Sequence, residues 1–147
     1  MDPILLRALL VVGLVAAVLI VGWLLKRRDG AVREVDQDAR LHDDHLAAVG
    51  LDLSDAKAGA VLLGSPTCTP CDTVKDVLGQ LEEEREGFRW VYADAGEHLR
   101  LAEEHRVMRV PTLFMVAPDG RILARTSGVP RHDELRRVLD DDQGAAA

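Results

Sequence analysis

The apolar run from Ala8 to Leu25, ALLVVGLVAAVLIVGWLL, constrains this chain more than any other stretch. Eighteen residues pass without a charge, and Ile4, Leu5 and Leu6 extend the run on the far side of Arg7. At about 1.5 Å per residue, a helix over 4–25 reaches roughly 33 Å, enough for a hydrocarbon core of about 30 Å. Such a helix is expected to span a membrane. Arg7 lies near one end, where its long stem can carry the guanidinium to the interface, and Trp23 lies near the other, where indoles favour the headgroup level. A cleaved signal peptide fits less well, because it places basic residues before a shorter apolar stretch, whereas Lys26-Arg27-Arg28 follow this one directly. That basic flank outweighs Arg7 and the amino terminus, so the positive-inside rule puts residues 26–147 in the cytoplasm, with the outward orientation as the alternative.

The anchor, residues 1–28, divides the chain electrostatically as well. Residues 1–33 hold five basic and two acidic side chains, for +3, so the remaining 114 residues carry −10 toward the net −7. A domain that acidic, without lysines or arginines clustered among aromatics, lacks the footprint that phosphate backbones require, and nucleic acid is excluded as a partner. Residues 29–50 read as a polar linker, part of it helical, with an apolar trace at Leu41, Leu46 and Val49. Within it His42-Asp43-Asp44-His45 resembles a metal motif, but no further ligand stands nearby in sequence, and a solvated helix face is expected there.

A domain is expected over 51–141, with a frayed tail over 142–147. Ala60-Val61-Leu62-Leu63 suits a strand buried on both faces that ends at Gly64-Ser65-Pro66. Val74, Val77, Leu78 and Leu81 mark one side of a helix. Phe88 to Ala93 has the aromatic and β-branched content of a strand. A short helix follows, with Leu99 and Ala102 on its inner side. Val110 to Val116 is a second apolar strand, Pro118-Asp119-Gly120 a turn, and Arg121 to Thr126 alternates as a half-exposed edge strand does. Leu135, Val138 and Leu139 mark the last helix. The order β-α-β-α-β-β-α predicts an α/β fold with a central mixed sheet, a right-handed crossover and an antiparallel hairpin.

Both cysteines, Cys68 and Cys71, fall where the first strand gives way to the first helix, in GSPTCTPCDTVKDVL. A bridge between them closes too short a loop to stabilise the chain much, so reactivity or metal binding explains them better. At the helix start Cys68 faces unpaired N–H groups and the positive end of the dipole, which favours a thiolate nucleophile. Cys71, one turn in, is placed to resolve a mixed disulfide by attacking Cys68. Pro70 needs no N–H in a first turn. A zinc site would have to recruit from His42, His45, His98, His105 and His132, none at a zinc-finger spacing from the pair, so no metal is expected. Two inert core cysteines fit the polar flanks poorly.

A strand, S-P-T-C-T-P-C, an amphipathic helix and, about forty residues on, V-P-T opening a strand with P-D-G-R behind it together resemble the thioredoxin superfamily over roughly residues 50–141. The nearest variety is the membrane-tethered thioredoxin-like proteins. The resemblance implies thiol–disulfide exchange with protein substrates through catalytic Cys68 and Cys71, in a monomer with no bound cofactor. It also implies a cis Pro111 lying against the disulfide, and substrate contacts from Val110 and Pro111 with Thr67, Thr69 and Pro70. The chain departs from the family at Thr67, where a tryptophan is usual, at Thr69-Pro70, where Gly-Pro is usual, and at Leu62, where a buried aspartate helps move the resolving cysteine's proton. In a cytoplasm that keeps thiols reduced, a reductase is the expected direction. The rival readings are a redox-slow binding or assembly module at the membrane and a metal carrier using the CxxC pair.

Overall fold

Seven consecutive buried residues, Ala58–Gly64, form β1, the strand on which the other elements are assembled. The structure is a computed structural model that describes residues 2–28, 31–33, 35 and 39–145. Its elements are α1 (Pro3–Arg28), α2 (Asp43–Val49), β1, α3 (Thr69–Glu84), β2 (Phe88–Asp94), α4 (Leu99–Glu104), β3 (Thr112–Val116), β4 (Ile122–Ser127) and α5 (His132–Ala145). The sheet order is β2-β1-β3-β4. β1 runs parallel to β2, with α3 as the crossover, and antiparallel to β3, which returns through Pro118-Asp119-Gly120 to β4. The expected α/β architecture with a mixed sheet is the one observed.

Because strand side chains alternate, β1 feeds two cores. Val61 and Leu63 point to one, with Phe114, Val116 and Leu101. Ala60 and Leu62 point to the other, where Val74, Leu78 and Leu81 of α3 and Leu135 and Leu139 of α5 cover the sheet. The stripe read along α3 is thus its packing face, although Val77 at its margin is only half-buried. In α4 the inner side is Leu101 and Ala102, not Leu99, which is 59% exposed. Six residues are too few for periodicity to fix a helix face.

The stretch before β1 is more than a linker. Leu41, Leu46, Val49, Leu51 and Leu53 are all buried in the first core. Upstream, Arg33 pairs with Arg125 and Arg40 with Arg121 as antiparallel bridges, so the chain meets the outer edge of the sheet at both points. The alternation of β4 is as expected, but part of its edge is hydrogen-bonded: the Leu41 N–H donates to Gly120 O at 2.8 Å and the Ile122 N–H to Ala39 O at 2.9 Å. Gly120 permits that approach. Its φ is +81°, and a Cβ there would stand 2.6 Å from the carbonyl oxygen of Leu41. At the carboxyl end α5 remains helical to Ala145, where a tail was expected from residue 142. The Asp142 carboxylate accepts from Arg121 at 2.8 Å, which secures that turn; residues 146 and 147 lie outside the described residues.

His45 also departs from expectation. Its neighbours His42, Asp43 and Asp44 are exposed, but its own side chain is only 8% exposed, with Nε2 2.5 Å from Glu104 Oε2. The solvated-face reading therefore fails at His45, whose partner is 59 residues away. The hydrogen bond with His45 holds the Glu104 carboxyl below the usual carboxylate range. Burial, ahead of the neighbouring charges, holds half-buried His105 below the usual histidine range.

α1 is the one helix among the described residues long and apolar enough to cross a membrane, judged by length and composition. Its side chains from Ile4 to Leu24 are exposed throughout.

Two outcomes follow for stability. Gly120→Ala forces a strained left-handed alanine against Leu41 and is expected to cost about 2 kcal/mol in urea denaturation, with faster exchange of the Leu41 amide. Acid should destabilise the domain in two stages. Below about pH 6.5 the unfolded chain protonates its histidine before folded His105 does, so stability falls. The Glu104 contribution, present above the unfolded carboxylate range, is lost as pH falls through its lower folded value. Denaturation midpoints measured between pH 8 and pH 3 check both.

Candidate functional site

At the end of β1 the chain turns through Ser65, Pro66 and Thr67 into α3, and both cysteines lie at that junction. Cys68 is the N-cap residue of α3, with extended backbone, its N–H donating to Ser65 O at 3.1 Å. Thr69 and Pro70 open the helix, Pro70 where a missing N–H costs nothing. Cys71 follows one turn in, its N–H donating to Cys68 O at 3.1 Å. The two sulfurs are joined as a disulfide, S–S 2.06 Å.

Their surroundings differ. Cys68 is half-buried, while Cys71 is 1% exposed, so an incoming sulfur can reach the first and not the second. Thr67, Thr69 and Pro70 are exposed around Cys68. The antiparallel register of β1 with β3 ends at Leu63 opposite Thr112, and its continuation sets Pro111 across from Gly64. The Val110–Pro111 peptide bond is cis, Pro111 is buried and Val110 half-buried. Thr112 steadies this loop from inside, its hydroxyl donating to Arg109 O at 2.7 Å. The residues singled out from sequence thus gather at one end of the sheet.

A cleft of about 540 Å³ opens beside Cys68, and it contains side chains that sequence spacing did not reveal. Tyr92, Asp94 and Glu97 join Asp72 and Lys75 along its wall. Tyr92 and Asp94 arrive because β2 pairs in register with β1, Leu62 with Tyr92 and Gly64 with Asp94, and Glu97 follows just beyond β2, its N–H donating to Asp94 O at 3.1 Å. Lys75 Nζ lies 3.0 Å from Asp72 Oδ1 and 4.5 Å from the centroid of Tyr92, so this rim is organised by charge and ring together. Three carboxylates against one ammonium make it acidic. The β1 position where related folds carry a carboxylate is apolar here: Leu62 is fully buried among aliphatic neighbours of α3 and β3. No ionisable side chain therefore stands at that position.

Several solved structures share this fold. Mitochondrial thioredoxin 3 from Saccharomyces cerevisiae, oxidised form, matches at 21% identity and TM-score 0.53, covering 65% of this chain and 87% of that one. A point-mutant thioredoxin from Halobacterium salinarum NRC-1 matches at 24% identity and TM-score 0.55, covering 69% and 86%. A chain from a structure concerning thiol resolution in a yeast mitochondrial 1-Cys peroxiredoxin matches at 20% identity and TM-score 0.51, covering 60% and 82%. No protein-family model and no curated protein sequence matches the chain. The chain has a thioredoxin fold. Within that fold it carries a CxxC disulfide at the first helix after the central strand, preceded by a candidate membrane-spanning helix.

Gly64 sets how closely the pieces of the site approach. A Cβ on it would stand 2.5 Å from Tyr92 Cε2 and 2.9 Å from Cys71 Sγ. Gly64→Ala must displace the ring or the sulfur, and is expected to lower stability by about 1–3 kcal/mol as overpacking does. Urea denaturation of the oxidised protein, compared with the parent, checks it.

Proposed function

We propose that this chain is a membrane-anchored thiol–disulfide oxidoreductase that reduces protein disulfides through Cys68 and Cys71. The observation that carries the reading is the disulfide itself, with a reachable Cys68 at the N-cap and a covered Cys71 behind it, beside Pro111. In the dithiol form the Cys68 thiolate attacks one sulfur of a substrate disulfide. A Cys68–substrate bond forms, the substrate S–S bond breaks, and the leaving thiolate takes a proton. Cys71, deprotonated, then attacks Cys68 Sγ, which forms the internal disulfide and releases the second substrate thiol. The substrate gains two electrons and two protons, and the enzyme is left oxidised. A dithiol donor protein must return it to the reduced form. Val110, through its backbone, and the exposed Thr67 and Thr69 are the groups placed to hold an extended substrate segment. The acidic rim of Asp72, Asp94 and Glu97 favours substrates with basic residues beside the cysteine.

The anchor reading is supported by the length and exposure of α1, and the cytoplasmic side by the basic flank at Lys26, Arg27 and Arg28. A second reading, a thioredoxin-fold scaffold that exchanges slowly, is favoured by the apolar setting of Leu62.

Cys68→Ser is expected to abolish reduction of a model protein disulfide, and Cys71→Ser to accumulate mixed disulfides at Cys68 in cells, with the captured protein revealing the side of the membrane. Activity persisting in Cys68→Ser would sink the mechanism. Leu62→Asp separates catalyst from scaffold. It should cost about 3 kcal/mol for the buried carboxyl. A parent that fails to equilibrate with glutathione within minutes, beside a Leu62→Asp variant that does, assigns the scaffold role.

A further inference from the structure

The fold brings to His42-Asp43-Asp44-His45 the partners its sequence neighbourhood lacks. His45 Nε2 lies 2.5 Å from the Glu104 carboxylate. The next residue, His105, caps α4 and sets its ring centroid 6.1 Å from that of His45. One donor atom from each of His45, Glu104 and His105 lies within 4.8 Å of the other two. Nε2 of His105 is moreover buried with no hydrogen-bond partner, an arrangement native proteins seldom leave in place. A hydrogen-bonded His–Glu pair accounts for the first two side chains and leaves that nitrogen unexplained.

We propose that His45, Glu104 and His105 bind one divalent transition-metal ion of the zinc class. Two imidazoles and a carboxylate suit such ions better than magnesium or calcium, which prefer all-oxygen shells, and no thiolate is present to select copper(I). Zinc–ligand bonds of about 2.0–2.2 Å place neighbouring donor atoms about 3–3.5 Å apart, so the His45–Glu104 pair at 2.5 Å has to open slightly, while His105, within 4.8 Å of both, closes by at most roughly 2 Å. Glu104, whose side chain is 45% exposed, can make that adjustment. His42 lies close by, its ring centroid 6.3 Å from that of His45.

The ion would act as a brace. It ties α2 to the end of α4, where Arg125 already donates to His105 O at 2.6 Å and to Arg106 O at 3.0 Å, and from which the chain runs on to Val110 and Pro111. It touches neither cysteine, so the inference stands independently of the redox reading.

The test uses the full-length protein in detergent micelles with its disulfide intact, which removes thiolates as ligands. After treatment with a chelator it is titrated with Zn²⁺ by calorimetry and with Co²⁺ by ligand-field absorption. The expected result is one ion per chain with a low-coordinate cobalt spectrum. Glu104→Gln and His105→Ala should each weaken binding at least about tenfold. Glu104→Gln alters an exposed, near-isosteric side chain, so an unchanged circular dichroism spectrum keeps the comparison sound. No saturable uptake by the parent, or equal uptake by Glu104→Gln, would overturn the proposal and leave the three side chains as an ion pair and a packed ring.

Discussion

Hydrogen bonding of β1 on both edges at once is the constraint from which the rest of the domain follows. Ala60, Val61, Leu62 and Leu63 have no solvent exposure, so every backbone group there must find its partner in β2 or β3. With a period of two, any slip by one residue would exchange the two cores. The register is fixed accordingly, and with it the point at which β1 ends. Three chain segments meet there: the cysteine loop leaving β1, the Tyr92–Asp94 end of β2, and the Pro111 start of β3.

That meeting point has an uneven chemistry. Cys68 is half-buried at the helix start and borders the cleft, while Cys71 lies beneath it against Gly64. Identical side chains thus differ in access by depth alone. The interior is aliphatic at Leu62, whereas the cleft rim carries charged groups. The rim sets three carboxylates against the Lys75 ammonium, so its charge acts on whatever approaches Cys68.

The strand-to-helix junction around Cys68 was legible in sequence because it depends on neighbours: an apolar run, a Gly-Ser-Pro break and a 3.6-residue stripe from Val74 to Leu81. The Val110-Pro111-Thr112 segment was legible as a strand start, and its place beside Gly64 follows once β1 and β3 pair. What could not be read depends on distant partners. His45 and Glu104 are far apart in the chain, and neither spacing nor composition hints that they touch. The same holds for Tyr92 and Asp94, which reach the cleft through strand register. Leu41, Leu46 and Val49 were visible as apolar, but an apolar trace in a charged stretch does not say what it packs against. The inner face of α4 was misassigned between Leu99 and Leu101, since so short a helix carries no repeat to average over.

The bridge between Arg33 and Arg125 sets a leash. α1 ends at Arg28, so only the steps from residue 28 to residue 33 separate the last helical turn from the first point at which the chain is fastened to the sheet. Fully extended, they span about 17 Å. With α1 in a bilayer, the domain can swing but cannot travel, and its working volume is a thin shell over the lipid surface. Encounter with a client held in the same membrane then becomes a two-dimensional search at high local concentration, while a client in bulk solution gains nothing from it.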